Sequence, residues 1–190
     1  PFLDIAYQGF GDGIDADATA VRQFADAELT FLISSSFSKS FSLYGERVGA
    51  LSLVAADKEE SGRVLSQLKR VIRTNYSNPP THGGSVVAQV LTSPELRAEW
   101  ETELGEMRER IRAMRAALVA KLKERGVARD FGFVMQQRGM FSYSGLTAAQ
   151  VDRLREEHGI YAVSTGRICV AALNNRNIDA VADGIAAVLK

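Results

Sequence analysis

Eight apolar residues, Leu96, Trp100, Leu104, Met107, Ile111, Met114, Leu118 and Leu122, recur at steps of three or four along one stretch of the chain. A stripe with that period lies along one face of an α-helix and along no face of a strand. Ser93 and Pro94 stand where an N-cap and a first helical residue belong, and Gly126 where a helix stops. The spacing therefore predicts one helix of roughly 30 residues, about 45 Å long at 1.5 Å per residue. A helix of that length bridges two domains or, because the stripe lasts about four heptads, winds into a coiled coil.

The sequence on either side follows different rules. Before the helix, residues 1 to 6 read as the end of a buried strand, and the glycines at 9, 11 and 13 mark a loop. Asp15 to Ala27, with Ala20, Val21 and Phe24 at helical spacing, reads as a short crossover helix. LTFLISSS (29 to 36) and VGALSLVA (48 to 55) read as further buried strands, the second apolar enough to be covered on both faces. Strand, helix, strand predicts a mostly parallel sheet in an α/β layer. Residues 57 to 74 read as a helix and YSNPPTHGG (76 to 84) as a loop.

After the helix come short pieces. DFGFVM and MFSYSG read as alternating segments about a QQRG turn, and IYAV and RICVAAL as another pair about STG. In RICVAAL, Ile168, Val170 and Ala172 would share one face, with Arg167, Cys169 and Ala171 on the other. Between the pairs, Thr147 and Gln150 have the spacing of a capping box, and Asn177 to Leu189 closes as an amphipathic helix. The expected organisation is residues 1–93 as one α/β portion, 94–126 as a long interdomain helix, and 127–190 as a small α+β domain.

With 23 basic and 23 acidic residues the formal charge is zero, so the electrostatic footprint of a nucleic-acid or membrane-surface binder is missing. Small molecules or other protein chains are the expected partners. A single cysteine, Cys169, forms no internal disulfide, and no Cys/His cluster has metal-ligand spacing. A reducing, cytoplasmic location is expected, with no metal. No apolar run approaches the ~18 residues of a membrane span. Pro1 leads directly into an apolar segment, so the chain reads as a fragment of a longer polypeptide.

Chemistry concentrates around SSSFSKSFSLYGERVG (34 to 49), where Lys39 follows an apolar strand and a serine cluster. Parallel sheets deliver ligand-binding groups at such strand ends. A phosphate-binding P-loop fails on detail, because the glycines it needs one and six positions before the lysine are Ser38 and Ile33. Two readings stand: a loop lysine at the surface, or a Schiff-base lysine partly desolvated and set near a second cation, for which Arg47 is the candidate.

SFSKSFSLYGERVGAL resembles the cofactor-lysine segment of the pyridoxal-phosphate aminotransferases of the aspartate and aromatic amino-acid family. So do DIAYQGF (4 to 10), IRTNYSNPPTHG (72 to 83), RGMFSYSGL (138 to 146) and STGRICVAALN (164 to 174), in the family's order. FSLYGERVG and RGMFSYSGL look closer to the aromatic branch. The resemblance implies a fold of type I: the C-terminal part of a large cofactor-binding domain, a bridging helix and a small domain.

It also implies roles. Lys39 would hold pyridoxal 5'-phosphate as a Schiff base and move the substrate proton. Asp4 would pair with the cofactor's ring nitrogen and Tyr7 with its phenolic oxygen. Ser36, Ser38 and Arg47 would cradle the phosphate, the arginine as a bidentate fork. Arg167 would bind the substrate α-carboxylate. Arg73 would reach a side-chain carboxylate across a homodimer, and Ser77 and Asn78 would lie near the cofactor phosphate and active site of the other subunit.

The implied activity is amino transfer between aromatic, and also acidic, amino acids and 2-oxo acids, in a homodimer with shared sites. The family's remaining cofactor contacts come from a half of the large domain that these residues do not include, so the chain alone is expected to be inactive. Another Schiff-base pyridoxal enzyme, a decarboxylase or lyase, is the alternative, against which Arg167 and Arg73 together argue. A non-catalytic, associating fragment is the third reading. His82 and His158 read as structural, Cys169 as a small filler, and the Arg/Glu runs from 97 to 125 as the solvated face of the long helix.

Overall fold

Alternation in LTFLISSS places Phe31 and Ile33 on one face, and both are buried in the computed structural model, which describes residues 1–190. They lie on strand β2 (Phe31–Ser36), the middle of a three-stranded sheet with β1 (Phe2–Ile5) and β3 (Gly49–Val54) on either side. This sheet belongs to the first of two compact units, Pro1–Gly105; the second is Glu106–Lys190.

β1 runs parallel to β2, with Asp4 beside Ser34. The crossover carries α1 (Ile14–Asp17) and α2 (Thr19–Asp26), and Phe24 of α2 meets Phe31 edge-on at 5.5 Å. β3, however, pairs antiparallel with β2, Ser36 opposite Gly49 and Phe31 opposite Val54. The expectation of a mostly parallel sheet is therefore corrected: one pair is parallel and one is not. A parallel return needs a crossover, usually helical; the link 37–48 holds only turns and a 3-10 segment (Tyr44–Glu46), so the chain doubles back. Nor is β3 covered on both faces, for Leu51 is 51% exposed; β1 is likewise an edge strand, with Phe2 61% exposed.

Helix α3 (Lys58–Asn75) begins at Asp57, whose carboxylate accepts the Glu60 N–H at 2.7 Å. Helix α4 (His82–Thr92) starts inside the stretch read as a loop. The long helix α5 runs Pro94–Glu124. Ser93 Oγ accepts the Leu96 N–H at 3.3 Å, and Gly126, at φ +69°, closes the other end. There the Val127 N–H reaches Leu122 O and the Gly126 N–H reaches Lys123 O, the paired bonds of a Schellman motif. Leu104, Ile111, Leu118 and Leu122 are each at most 2% exposed, so one chain buries this part of the stripe without a coiled-coil partner.

In the second unit β4 (Phe141–Tyr143) and β5 (Arg167–Cys169) form an antiparallel pair, Tyr143 opposite Arg167. Helix α6 (Ala148–His158) opens with the expected capping box, both reciprocal bonds between Thr147 and Gln150 being present. Helix α7 spans Ile178–Val188. Strand content is lower than the pattern suggested. DFGFVM turns as a 3-10 segment (Gly132–Gln136) because the Asp130 carboxylate accepts the Gly132 N–H at 2.7 Å, and IYAV forms no strand. RICVAAL leaves the strand after Cys169, and Val170 turns fully into the core.

The basic face of α5 is not wholly solvated either. Arg115 is 3% exposed and donates to Gly139 O at 2.7 Å and Ser142 Oγ at 3.2 Å, fixing the turn before β4. Burial pushes its pKa down, and the nearby positive charge of Arg112 adds to this. No helix is long and apolar enough to cross a membrane.

Candidate active site

Period-two alternation sends Asp4 of β1 and Ser34 and Ser36 of β2 to the face opposite Phe31 and Ile33. On that face they line an open cleft of about 320 Å³ together with Ser38, Arg47 and Gly49. Ser34 Oγ donates to Asp4 Oδ1 at 2.7 Å. A Cβ at Gly49 would stand 2.7 Å from Ser35 O, so the pairing at the cleft floor admits only glycine there. Arg47 spends a guanidinium N–H on Tyr44 O at 2.9 Å, one of its five donors. Its backbone is left-handed, φ +52°, a strained state for a residue with a side chain. One carboxylate, several hydroxyls and an arginine fork thus share one cleft, a donor set suited to an anionic group carrying a basic ring nitrogen.

Lys39 follows Ser38, itself 4% exposed, in a turn whose Phe41 N–H reaches Phe37 O and whose Ser42 N–H reaches Lys39 O, each at 3.2 Å. The Lys39 ammonium lies over two rings, 5.1 Å from the centroid of Tyr7 and 5.8 Å from that of Tyr44. Tyr7 is positioned by the loop after it: the Asp17 carboxylate accepts the N–H groups of Gly9, Gly11 and Asp12 at 2.7, 2.9 and 2.8 Å. At the far end of the lysine loop, His82 Nδ1 pairs with Glu46 at 2.9 Å.

Arg73, Ser77 and Asn78 form a separate exposed group where α3 ends. Arg73 donates to Ser77 Oγ, and the Asn78 side chain approaches the same oxygen at 3.5 Å. Ser77 sits at φ +68° between a Tyr76 carbonyl and an Asn78 N–H joined at 2.9 Å, a strained γ-turn. Two of the four non-glycine residues at positive φ, Arg47 and Ser77, are thus predicted site residues. Arg167, in the second unit, begins β5 with its guanidinium 4.9 Å above the Phe141 ring, exposed to solvent.

Two participants escaped the sequence reading. Ser34 was legible in principle, being two residues from Ser36 on the same strand face. Trp100 was read only as part of the apolar stripe, yet its indole N–H donates to Ser40 O at 2.7 Å and its ring stacks on Phe41 at 4.5 Å.

A family model described as aminotransferase class I and II matches residues 1–185. The chain is 71% identical to an aspartate aminotransferase of Pseudomonas aeruginosa and 57% identical to an aromatic-amino-acid aminotransferase of Escherichia coli, in each case over 100% of this chain and 48% of the relative. Among solved structures it is similar to an aromatic-amino-acid aminotransferase from Burkholderia pseudomallei covalently bound to pyridoxal phosphate. That match has 76% identity and a TM-score of 0.98, over 100% of this chain and 48% of the other. The chain thus spans about half the length of the relatives it matches.

Proposed function

The chain belongs to the class I and II aminotransferase family, and from that premise we propose that it carries the lysine, part of the phosphate cradle and the substrate arginines of an aminotransferase. The reaction moves an amino group between aromatic or acidic amino acids and 2-oxo acids. The observation that carries this reading is the cleft that gathers Asp4, Ser36, Ser38 and Arg47 beside the Lys39 turn. Its donors fit pyridoxal 5'-phosphate, which when bound supplies an electron sink for the carbanion at the substrate Cα.

This chain's residues divide the remaining work. Lys39 would hold the cofactor covalently, and its amine would then carry the proton to and from Cα, a task suited to a lysine amine. Asp4, oriented by Ser34, would keep a ring nitrogen protonated. Arg47 and the Ser36 and Ser38 hydroxyls would hold the phosphate, and the Tyr7 hydroxyl would serve the phenolic oxygen. Arg167 presents a rigid fork to the α-carboxylate, fixing which Cα bond faces the acceptor. Arg73 serves an acidic side chain.

Arg73, Ser77 and Asn78 act across a homodimer in this proposal. It is supported by α3, which buries none of its residues and leaves Leu65 49% and Val71 62% exposed, an apolar surface suited to a second subunit. The isolated 190 residues, lacking the rest of the cradle, are inactive in this account, and the reaction belongs to the whole protein that contains them.

The test is turnover of that whole protein with pyridoxal 5'-phosphate, 2-oxoglutarate and either aspartate or phenylalanine. Amino transfer to glutamate is expected with both donors, and Arg73→Leu should lose aspartate while keeping phenylalanine. Release of carbon dioxide or ammonia without transfer would sink the proposal in favour of a decarboxylase or lyase.

A further inference from the structure

The turn that presents Lys39 is tied to the long helix by an indole ring, and we propose that Trp100 is a positioning residue for that lysine. The inference rests on the reading of Lys39 as the covalent anchor. Two separate contacts carry it. The Trp100 indole N–H donates to the carbonyl of Ser40, the residue directly after Lys39, at 2.7 Å. The Trp100 and Phe41 ring centroids are 4.5 Å apart with the planes tilted by only 20°, and Phe37 meets Phe41 edge-on with centroids 5.5 Å apart. The turn 37–42 is therefore held at its carbonyl and at its ring by a residue on the first half of a long helix.

A lysine side chain has four rotatable carbons and no conformational preference that would aim it at a cofactor. Its placement must come from the backbone, and the turn contributes only two internal bonds, Phe41 N–H to Phe37 O and Ser42 N–H to Lys39 O. Ser42 adopts φ +56°, which those bonds alone do not favour. The clamp from Trp100 stiffens this strained turn. An indole N–H that is partly withdrawn from water seeks an acceptor, and here the acceptor is the backbone carbonyl directly after the anchor.

Trp100→Phe keeps a ring on Phe41 and removes the hydrogen bond, and Trp100→Leu removes both; the first guards against simple unfolding. Two quantities are read in the whole protein. Amide exchange of Phe41 and Ser42 is measured without cofactor. The rate of Lys39 labelling is measured by adding pyridoxal 5'-phosphate, whose aldehyde condenses with the amine with loss of water, and reducing the C=N bond with borohydride.

Trp100→Phe is expected to speed exchange of those two amides about tenfold, as loss of one hydrogen bond worth a factor of ten would. It should slow labelling of Lys39 by a similar factor and leave Lys58 and Lys69 unchanged. Unaltered exchange, or faster exchange with unaltered labelling of Lys39, overturns the inference. Wild-type protein that labels at no preferred lysine instead overturns the reading of Lys39 as anchor, and this inference with it.

Discussion

Ser34 Oγ donates to Asp4 Oδ1 across the parallel pair β1–β2, at the register where the two residues stand side by side. The bond fixes a carboxylate that would otherwise rotate freely at an exposed strand edge. If Asp4 keeps a ring nitrogen protonated, Asp4→Ala removes the charge itself and should lower turnover by about 10²–10⁴, the range expected for a positioned acid–base group. Ser34→Ala removes only the orientation and should cost about tenfold, the low end for a hydrogen bond to a charged group. Steady-state kinetics on the two variants, with circular dichroism to check folding, decides the order.

Gly49 lies opposite Ser36 in the lining of the same cleft, and a methyl group there would stand 2.7 Å from Ser35 O. Backbone cannot rotate out of the way as a side chain can. Gly49→Ala is expected to destabilise the protein by about 1–3 kcal/mol, the usual cost of overpacking, measured as a lower urea midpoint with unchanged slope.

Much of this was legible in the sequence, for identifiable reasons. The α5 boundaries followed from one period and two caps, and the capping box at Thr147 from a local four-residue pattern. The antiparallel return of β3 is not encoded in its apolar run but in its connection to β2, which lacks a crossover helix. DFGFVM alternates like a strand, but the Asp130 side chain captures the Gly132 N–H, a local competition that hydropathy does not encode. Arg115 looked like every other charge on α5; only the fold brings the Gly139 carbonyl within 2.7 Å of it. For Trp100 the signal existed, since an indole in an apolar stripe needs an acceptor, but its partner 60 residues away in sequence could not be named in advance.

Arg115 itself offers a stability test. Replacing it with leucine keeps the apolar stem and leaves Gly139 O and Ser142 Oγ without their donor. About 1–3 kcal/mol should be lost for each acceptor that stays buried and unpaired, and thermal denaturation against wild type would show it. An unchanged midpoint would mean that water replaces the guanidinium.

The second unit should respond to acid through Asp179. Hydrogen bonds from Lys121 at 2.6 Å and Arg125 at 3.0 Å hold this carboxyl below its ordinary pKa. Since the folded value is the lower one, the stabilisation is present above the unfolded carboxylate pKa and disappears as pH falls through the folded value. Asp179→Asn should therefore be less stable than wild type at neutral pH, and the difference should shrink on acidification below the ordinary carboxylate range. Urea denaturation across that interval checks both the sign and the trend.

Arg167 stands exposed over the Phe141 ring at the start of β5. If it receives the α-carboxylate, Arg167→Lys retains the charge but not the fork, and kcat/KM should fall about 10–100-fold for every amino acid alike, one charged hydrogen bond's worth. Arg73→Leu should discriminate by side chain instead, so the pattern across aspartate, phenylalanine and tyrosine separates the two roles.

The most direct test of the central claim maps the covalent anchor. The whole protein is treated with pyridoxal 5'-phosphate, reduced with borohydride, digested and analysed by peptide mass spectrometry. Among Lys39, Lys58, Lys69, Lys121, Lys123 and Lys190, the account predicts stoichiometric modification of Lys39 alone, abolished by Lys39→Ala. An adduct spread over several lysines, or one that persists in Lys39→Ala, would contradict it.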